Sequence, residues 1–276
     1  MMDEIANLPP VSQMMRECEM LAKKQFGQNF LFDLNLTGRI ARAVPNIEKI
    51  PVVEVGPGPG GLTRALLLAG AKTVVAVEMD KTAAPILSRV AAAADGRLTV
   101  VYGDALKTDF SKFGFEKYAI CSNLPYNVGT ELLIQWIHKI VDGEKIESMT
   151  LMFQREVAER IIARAADDAY GRLAVLVGLT ADAKILFNVP RTAFTPAPKV
   201  TSAVVQIIPN ADKIKSLGKN LANLEKITAK LFGMRRKMIR GIMPDVDWSA
   251  FGLTGTERAE NLTPEKFLEI AKKVLI

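Results

Sequence analysis

The chain has 276 residues, of which 49% are hydrophobic and 24% are charged, so it can bury a sizeable core and does not have the composition of a disordered protein. Its apolar runs fall far short of the roughly 18 residues that suggest a membrane span, and its start lacks the basic and apolar regions of a signal peptide. A single histidine and two cysteines argue against a histidine-based triad, a zinc site or a disulfide framework. We therefore expect a cytoplasmic protein with no membrane partner and no metal.

The first elements in the chain are a predicted helix within residues 11–24 and a segment rich in glycine and amides that reaches Leu31. Such a composition does not suit the interior of a helix, so we expect Gln28 and Asn29 to lie in a loop and to be available to a ligand. Asp33 is the predicted N-cap of the next helix, which runs to about residue 44.

A glycine-rich loop follows a buried strand predicted at residues 50–55. Gly56, Gly58 and Gly61 match the pattern G-x-G-x-x-G in the strand–loop–helix context that this motif requires. Glu78 ends the next strand, 22 residues after Gly56, where a carboxylate can bind ribose hydroxyls. The two prolines inside the loop remove N–H donors that a pyrophosphate would use. The pattern indicates a nucleoside ligand and favours S-adenosylmethionine over a dinucleotide.

Asp104 follows a helix predicted at residues 83–94 and a strand predicted at residues 98–102. At the carboxyl end of that strand, its side chain is placed to accept a hydrogen bond from an adenine amino group. The alternative is that Asp104 caps a turn or a helix without touching a ligand.

The segment from Ser122 to Asn127 contains the pattern Asn-x-Pro-Tyr directly after a short apolar strand. An exocyclic purine amine is a poor nucleophile, because its lone pair is delocalised into the ring. The side-chain carbonyl of Asn123 and a backbone carbonyl near Pro125 would each accept one of its N–H groups, while Tyr126 offers the base a flat face. Catalysis would come mainly from positioning, without a general base. The alternative is an ordinary strand-ending turn.

Alternating helices and strands continue to residue 208, and they predict an α/β fold with a doubly wound, Rossmann-like sheet and a site along its carboxyl edge. Between the last two predicted strands, at residues 183–189 and 201–208, Pro196 and Pro198 hold the connection extended. Phe194 in this connection is either a second aromatic face opposite Tyr126 or a loop anchor.

The basic charge is concentrated at the C-terminus. Residues 209–276 carry 13 Lys and Arg against 8 Asp and Glu, which is +5 of the total of +6. We expect residues 1–208 to form the doubly wound domain that binds S-adenosylmethionine and residues 209–276 a basic helical domain. Arg235, Arg236 and Lys237 are predicted to point outward and bind phosphates of a nucleic acid, and a solvated helix face is the alternative.

Five segments together closely resemble the small-subunit ribosomal RNA adenine dimethyltransferases, the KsgA/RsmA family. They are Phe26–Leu31, Glu54–Thr63, Gly103–Leu106, Asn123–Asn127 and Phe194–Val204, and they occur in the order typical of the family. The resemblance covers residues 20–265. It implies a class I S-adenosylmethionine-dependent methyltransferase domain at residues 1–208, a small helical RNA-binding domain at residues 209–276, and action on a pre-ribosomal particle. It also implies transfer of two methyl groups to N6 of each of two adjacent adenosines near the 3′ end of 16S RNA. We also expect a monomer.

The resemblance also implies the site residues, carried over by motif position. The residues at S-adenosylmethionine would be Asn29, Leu31, Gly56, Gly58, Glu78, Asp104 and Asn123, with Gln28 beside them. The residues at the target adenine would be Asn123, Leu124, Pro125, Tyr126 and Phe194.

Three other functions use some of the same features. The macrolide-resistance methyltransferases share the fold and the adenine chemistry but act on large-subunit RNA, and the proline-rich segment with a full second domain favours the small-subunit enzyme. An NAD-dependent dehydrogenase would use the glycine loop and Glu78 but leaves Asp104 and the Asn-x-Pro-Tyr motif without a role. An RNA-binding assembly factor without catalysis is compatible with the basic tail, although the intact motifs argue against it.

Overall fold

The computed structural model describes residues 4–20 and 29–276, which divide into two compact units. The first unit contains the described residues up to Arg155 together with residues 185–207, and the second contains residues 156–184 and 208–276. The prediction placed a single boundary after residue 208, so the structure differs in grouping residues 156–184 with the C-terminal segment.

The strands are β1 (Phe30–Leu31), β2 (Val52–Val55), β3 (Val74–Glu78), β4 (Leu98–Tyr102), β5 (Tyr118–Asn123), β6 (Ile146–Gln154), β7 (Ala181–Val189), β8 (Phe194–Thr195) and β9 (Ser202–Pro209). The helices up to the middle of the chain are α1 (Glu4–Asn7), α2 (Val11–Glu17), α3 (Leu34–Ala41), α4 (Gly61–Leu68), α5 (Ala84–Ala93) and α6 (Gly129–Val141). The later helices are α7 (Arg155–Ile162), α8 (Arg172–Gly178), α9 (Ala211–Leu217), α10 (Leu221–Phe232), α11 (Ile239–Ile242) and α12 (Pro264–Lys273).

Seven of the described strands form one sheet in the order β4-β3-β2-β5-β6-β9-β7. Strand β2 pairs in parallel with both β3 and β5, and β6 pairs antiparallel with β9. The chain builds β2, β3 and β4 in one direction and then returns to add β5 and β6 on the other side of β2. The carboxyl ends of β2 and β5 therefore flank the point where the strand order reverses, which is where ligands bind in open α/β sheets. The predicted doubly wound fold is confirmed.

Most residues of the central strands are apolar because both faces of the parallel sheet are covered. Every residue of β2 and of β3 is buried. Two carboxylates, Glu54 and Glu78, are the exceptions to the apolar composition of these strands, and both lie close to the carboxyl edge. Burying a carboxyl group costs free energy unless it is hydrogen-bonded or protonated, so two such groups at one edge point to a ligand site.

The predicted N-cap at Asp33 is confirmed, because its Oδ1 accepts hydrogen bonds from the backbone N–H groups of Asn35 and Leu36 at 2.8 and 3.3 Å. Asn29 lies in a loop, as predicted, and residues 30–31 after it form β1, for which no strand was predicted. This strand pairs antiparallel with β8, which places Leu31 opposite Phe194. Two-residue strands leave almost no local pattern, so this pairing depends on tertiary contacts rather than on propensity.

The second unit has its own aromatic core. The ring of Tyr170 lies edge-on to Phe232 at 5.8 Å between centroids, and Phe232 stacks on Phe267 at 5.4 Å. The Tyr170 hydroxyl donates to the backbone carbonyl of Leu262 at 2.8 Å. These contacts are the physical reason why residues 156–184 belong to the same unit as the C-terminal helices.

None of the helices in the described ranges is long and apolar enough to cross a membrane. The described residues also contain no group of three His, Cys, Asp or Glu side chains arranged to hold a metal ion. Cys121 is fully buried in β5, as predicted, and burial raises the pKa of its thiol.

Candidate active site

A cavity of about 360 Å³ lies at the carboxyl ends of β2, β3, β4 and β5. Its volume lies within the range of about 300–1,000 Å³ that is typical of small-molecule sites. Predicted site residues form much of its wall: Asn29, Leu31, Gly56, Gly58, Glu78, Asp104, Asn123, Leu124, Pro125 and Tyr126. The structure thus brings together residues that are up to about a hundred positions apart in the chain. Gln28 lies outside the described residues.

The backbone N–H groups of the glycine loop donate hydrogen bonds to other protein groups. Gly58 has a φ of +52°, a left-handed conformation that suits glycine, and its N–H donates to Glu78 Oε2 at 2.8 Å. The N–H groups of Gly56 and Gly60 donate to the carbonyls of Val77 and Pro57, both at 2.9 Å. Pro57 and Pro59 have no N–H to offer. Residues 56–60 therefore have no backbone donor left for a phosphate, which argues against a dinucleotide.

Strand β1 forms another part of the cavity wall, and it approaches the start of α4 closely. A Cβ atom at Gly61 would lie 2.5 Å from the backbone carbonyl oxygen of Leu31, so only glycine fits there. Phe30 and Leu31 both line the cavity. The last glycine of the motif thus serves the packing of β1 on the ligand site rather than a turn.

The cavity is acidic. Glu54, Glu78, Asp80 and Asp104 line it, and none of its described lining residues is Lys, Arg or His. Burial raises the pKa of Glu78, while the backbone N–H groups of Asp80 and Gly58 act in the opposite direction. A wall of this kind attracts a cationic ligand and repels a pyrophosphate, so it fits the sulfonium and ammonium groups of S-adenosylmethionine.

Glu54 is the most deeply buried carboxyl group of the cavity, with 1% of its surface exposed. Its Oε2 accepts a hydrogen bond from the Thr63 hydroxyl at 2.6 Å. Burial raises its pKa to about 8; the Thr63 bond lowers the pKa, and the charge of Glu78 raises it further. Glu54 is therefore protonated at neutral pH when the cavity holds no cation.

Asp104 performs the turn-capping role that the sequence offered as the alternative. Its Oδ1 accepts the backbone N–H of Leu106 at 3.0 Å, and Lys107 Nζ lies 3.7 Å from Oδ2. A carboxylate has about four lone-pair positions. Capping therefore leaves Asp104 able to accept a further hydrogen bond from a ligand in the cavity.

The side-chain amide of Asn123 is held from the N-terminal side of the chain. Its Nδ2 donates to the backbone carbonyl of Asn29 at 3.0 Å, across 94 residues of sequence. With the amide orientation fixed in this way, Oδ1 is left as the hydrogen-bond acceptor. The neighbouring carbonyl of Pro125 already accepts the N–H groups of Val128 and Gly129 at the start of α6.

The two predicted aromatic faces differ in position. Tyr126 lines the cavity, and its hydroxyl lies 2.6 Å from Ser202 Oγ. Phe194 is only 3% exposed, belongs to the main hydrophobic core and lies outside the cavity wall. Its pairing opposite Leu31 makes it an anchor for β1, so the second of the two sequence interpretations describes its position.

Among the residues at the site that the sequence analysis missed are Glu54, Met79 and Ser202. Glu54 had a signal, because a carboxylate within an apolar strand calls for an explanation. Met79 follows Glu78 in the cavity wall and is 60% exposed, and Ser202 contacts Tyr126 from β9. No local pattern marks these last two, because their roles depend on tertiary contacts.

The fold and the site define a class of protein. A doubly wound sheet, an acidic cavity at its switch point and a loop without phosphate donors are the features of a Rossmann-like class I methyltransferase that uses S-adenosylmethionine. The chain matches the family model described as ribosomal RNA adenine dimethylase over residues 20–275. It belongs to that family.

Curated relatives are similar over almost their whole length. The chain is 48% identical to "Ribosomal RNA small subunit methyltransferase A" of Chelativorans sp. (strain BNC1), covering 97% of this chain and 98% of the relative. It is 47% identical to the protein of the same name from Mesorhizobium japonicum, covering 98% and 99%.

Two solved structures share the fold. A dimethyladenosine transferase from Plasmodium falciparum matches with a TM-score of 0.73 and 25% identity, covering 89% of this chain and 98% of that chain. The 23S rRNA methyltransferase ErmE matches with a TM-score of 0.67 and 25% identity, covering 88% and 98%. The fold is therefore common to a dimethyladenosine transferase and to an enzyme named for 23S RNA.

Proposed function

We propose that this chain dimethylates N6 of two adjacent adenosines near the 3′ end of 16S ribosomal RNA, using S-adenosylmethionine, late in small-subunit biogenesis. The observation that carries the proposal is the Asn123 amide, whose orientation is fixed by Asn29 at the wall of an acidic cavity. The relatives that are 47–48% identical are named for the small subunit, which favours that RNA over the large subunit.

S-adenosylmethionine supplies a methyl group on a positively charged sulfur when it is bound. We propose that Glu78 accepts hydrogen bonds from the ribose hydroxyls and that Asp104 accepts a hydrogen bond from the adenine amino group. Asn29, Leu31, Gly56 and Gly58 complete the wall around the ligand, and Gln28 is proposed to lie beside them. Glu78 already accepts N–H groups from Gly58 and Asp80, at 2.8 and 2.7 Å, so its carboxylate is oriented before the ligand arrives.

The target amine is held by acceptors at the Asn-x-Pro-Tyr turn. Asn123 Oδ1 accepts a hydrogen bond from one N–H group of N6. The carbonyl of Leu124 accepts the other, because the carbonyl of Pro125 is occupied at the start of α6. Tyr126 stacks on the base, and Phe194 supports the site from the core. Asn123 and Leu124 would thus aim the nitrogen lone pair at the methyl group that bound S-adenosylmethionine would supply, and the amine proton would be released to water. Rate acceleration comes from positioning.

Glu78→Ala should weaken S-adenosylmethionine binding about 10- to 100-fold, because it removes charge-assisted hydrogen bonds that are each worth roughly 1.5–3 kcal/mol. Titration calorimetry on the purified chain checks this. Glu116→Ala is the matched control, since the Glu116 side chain is 85% exposed. NAD should not bind to either variant or to the wild type. Tight NAD binding without any S-adenosylmethionine binding would contradict the methyltransferase assignment.

The choice of RNA is tested by incubating the chain with labelled S-adenosylmethionine and either immature small subunits or protein-free 23S RNA, and then mapping the label. We expect label on two adjacent adenosines near the 3′ end of 16S RNA. Label in 23S RNA alone would favour the large-subunit function named for ErmE. Binding to small subunits without label would favour an assembly factor without catalysis.

The RNA-binding cluster needs one correction. Arg235 does not simply point outward: its Nε donates to Glu260 at 2.6 Å, and its Nη2 donates to the carbonyl of Asp168 at 2.9 Å. Arg236 and Lys237 are exposed on the same turn. We propose that Arg235 fixes the turn while Arg236 and Lys237 bind RNA phosphates.

Replacing Arg236 and Lys237 together with Gln should flatten the log-salt dependence of small-subunit binding by roughly 0.9 for each lost phosphate contact. Arg235→Gln should lower the stability of the protein and change this slope far less. Filter binding at several salt concentrations measures the slope, and S-adenosylmethionine affinity serves as the folding control. Equal slopes for the double variant and the wild type would assign the cluster to an ordinary solvated surface.

We also propose that the chain acts in the cytoplasm as a monomer. A ribosomal RNA substrate supports the location. Light scattering on the free protein checks the oligomeric state.

A further inference from the structure

Tyr126 is attached to the protein at both ends of its side chain. Its backbone belongs to the turn after β5, and its hydroxyl lies 2.6 Å from Ser202 Oγ, 76 residues later in sequence. Ser202 is the first residue of β9, is fully buried and lies opposite Gln154 of β6. Because β6 lies between β5 and β9 in the sheet, this hydrogen bond crosses the end of a strand.

We infer that Ser202 is a positioning residue for the target adenine: its hydroxyl fixes the tilt of the Tyr126 ring on which the base stacks. The inference rests on the proposed function. Pro125 restrains the backbone next to Tyr126, but it does not restrain rotation about the first side-chain torsion of Tyr126. A hydrogen bond at the far end of the ring removes that rotation. The base then meets a preformed face instead of ordering the ring on arrival.

The hydroxyl of Tyr126 is therefore a structural group and not a proton donor or acceptor in the reaction. Its oxygen is bonded to a buried partner, and burial raises the pKa of Tyr126 above its ordinary value. Losing either hydroxyl leaves the other without this bond. Phenylalanine at position 126 would keep the stacking area and lose only the restraint, so it separates the two contributions of the ring.

A second buried serine provides a matched control. Ser148 lies in β6, is 1% exposed, and its Oγ has no hydrogen-bond partner among the described residues. Ser148→Ala therefore makes the same chemical change in a neighbouring strand without touching Tyr126. Any general cost of removing a buried hydroxyl from this sheet appears in both serine variants.

The test compares Ser202→Ala, Tyr126→Phe, the double variant and Ser148→Ala in single-turnover methylation of immature small subunits with labelled S-adenosylmethionine. We expect Ser202→Ala and Tyr126→Phe each to slow methyl transfer about 2- to 10-fold, the range for one net hydrogen bond. The double variant should be no slower than the slower single variant, because both remove the same bond. Affinity for S-adenosylmethionine should stay unchanged in Ser202→Ala and in Ser148→Ala, because neither serine lines the cavity.

Two results would overturn the inference while leaving the proposed function intact. The first is that Ser202→Ala transfers methyl groups at the same rate as Ser148→Ala. The second is that the fold-decrease in rate of the double variant equals the product of the fold-decreases of the two single variants. If Ser202→Ala does not fold, Tyr126→Phe alone decides, and an unchanged rate refutes the restraint. A wild-type chain that cannot label small subunits would instead refute the proposed function, and this inference with it.

Discussion

Asn123→Ala should slow single-turnover methylation by about 100-fold or more, because displacing a reacting group by even about 1 Å can cost that much. The substitution removes the acceptor that aims the amine and also the bond from Nδ2 to the carbonyl of Asn29. Affinity for small subunits should change less than about twofold, since phosphate contacts dominate RNA binding. Rapid-quench assays with saturating S-adenosylmethionine measure the rate, and filter binding measures the affinity.

Asn188→Ala is the matched control for this prediction. It removes the same side chain from β7, where Asn188 is exposed and lies outside the cavity wall. Its rate should stay within a few fold of the wild type by the range for an ordinary surface substitution. A near-normal rate for Asn123→Ala would show that the amine is held by other groups and would remove Asn123 from the mechanism.

The convergence of the residues proposed to bind the cofactor could be predicted because it follows from topology. Parallel strands present their carboxyl ends at one edge, so Gly56 after β2, Glu78 at the end of β3 and Asn123 at the end of β5 meet regardless of their separation in sequence. The bounds of the central strands and helices were also predicted closely, because long apolar runs with turn signals between them are the strongest local pattern. Those of the predicted cofactor residues that lie in the described ranges thus converge on one cavity.

What could not be predicted depends on contacts between distant segments. Arg64 belongs to α4 and would be expected at the surface, yet it is 2% exposed. Its guanidinium donates to the backbone carbonyls of Ile5, Leu8 and Pro9, at 3.2, 3.0 and 2.6 Å, and so fixes the N-terminal segment. A buried cation of this kind is stable only when such acceptors are supplied, and nothing local in the sequence reveals them.

Phe194 shows that tertiary pairing decides between two interpretations of one motif. The motif is compatible with an aromatic face for the base or with a loop anchor, and the pairing of β8 with β1 places the ring in the core. The second domain boundary is similar, since Tyr170 joins residues 156–184 to the C-terminal helices only through its contacts with Phe232 and Leu262. Sequence patterns predict the helices and strands of such a region but not which other elements they pack against.

The turn that contains Asn123 and Tyr126 is restrained by hydrogen bonds from two parts of the chain that are far apart in sequence. Asn29 holds Asn123 from the N-terminal side, and Ser202 holds Tyr126 from β9. Under the proposed function, one bond orients the acceptor of the amine and the other orients the stacking face. A turn of Asn, Leu, Pro and Tyr by itself fixes neither side chain, so the precision that methyl transfer needs comes from these distant partners.

Glu54→Gln should change the pH dependence of stability more than any other single substitution at the site. In the unfolded chain the carboxyl of Glu54 ionises above its ordinary pKa of 4.5, whereas burial keeps it protonated in the folded protein up to about pH 8. Between these values the folded state binds more protons, so the stability of the wild type falls as pH rises through this window. Below pH 4.5 and above pH 8 this contribution to the slope vanishes.

Glutamine has nearly the same shape as protonated glutamate and cannot ionise, and its amide oxygen can still accept the Thr63 hydroxyl. The difference in unfolding free energy between variant and wild type should therefore grow by roughly 3–4 kcal/mol from pH 5 to pH 8, in favour of the variant. Urea denaturation of the ligand-free proteins at several pH values measures this difference. Glu116→Gln, at an exposed position, should give a curve parallel to the wild type. If the Glu54→Gln curve is also parallel to the wild type, Glu54 is ionised in the folded protein, and the cavity carries one more negative charge before its ligand binds.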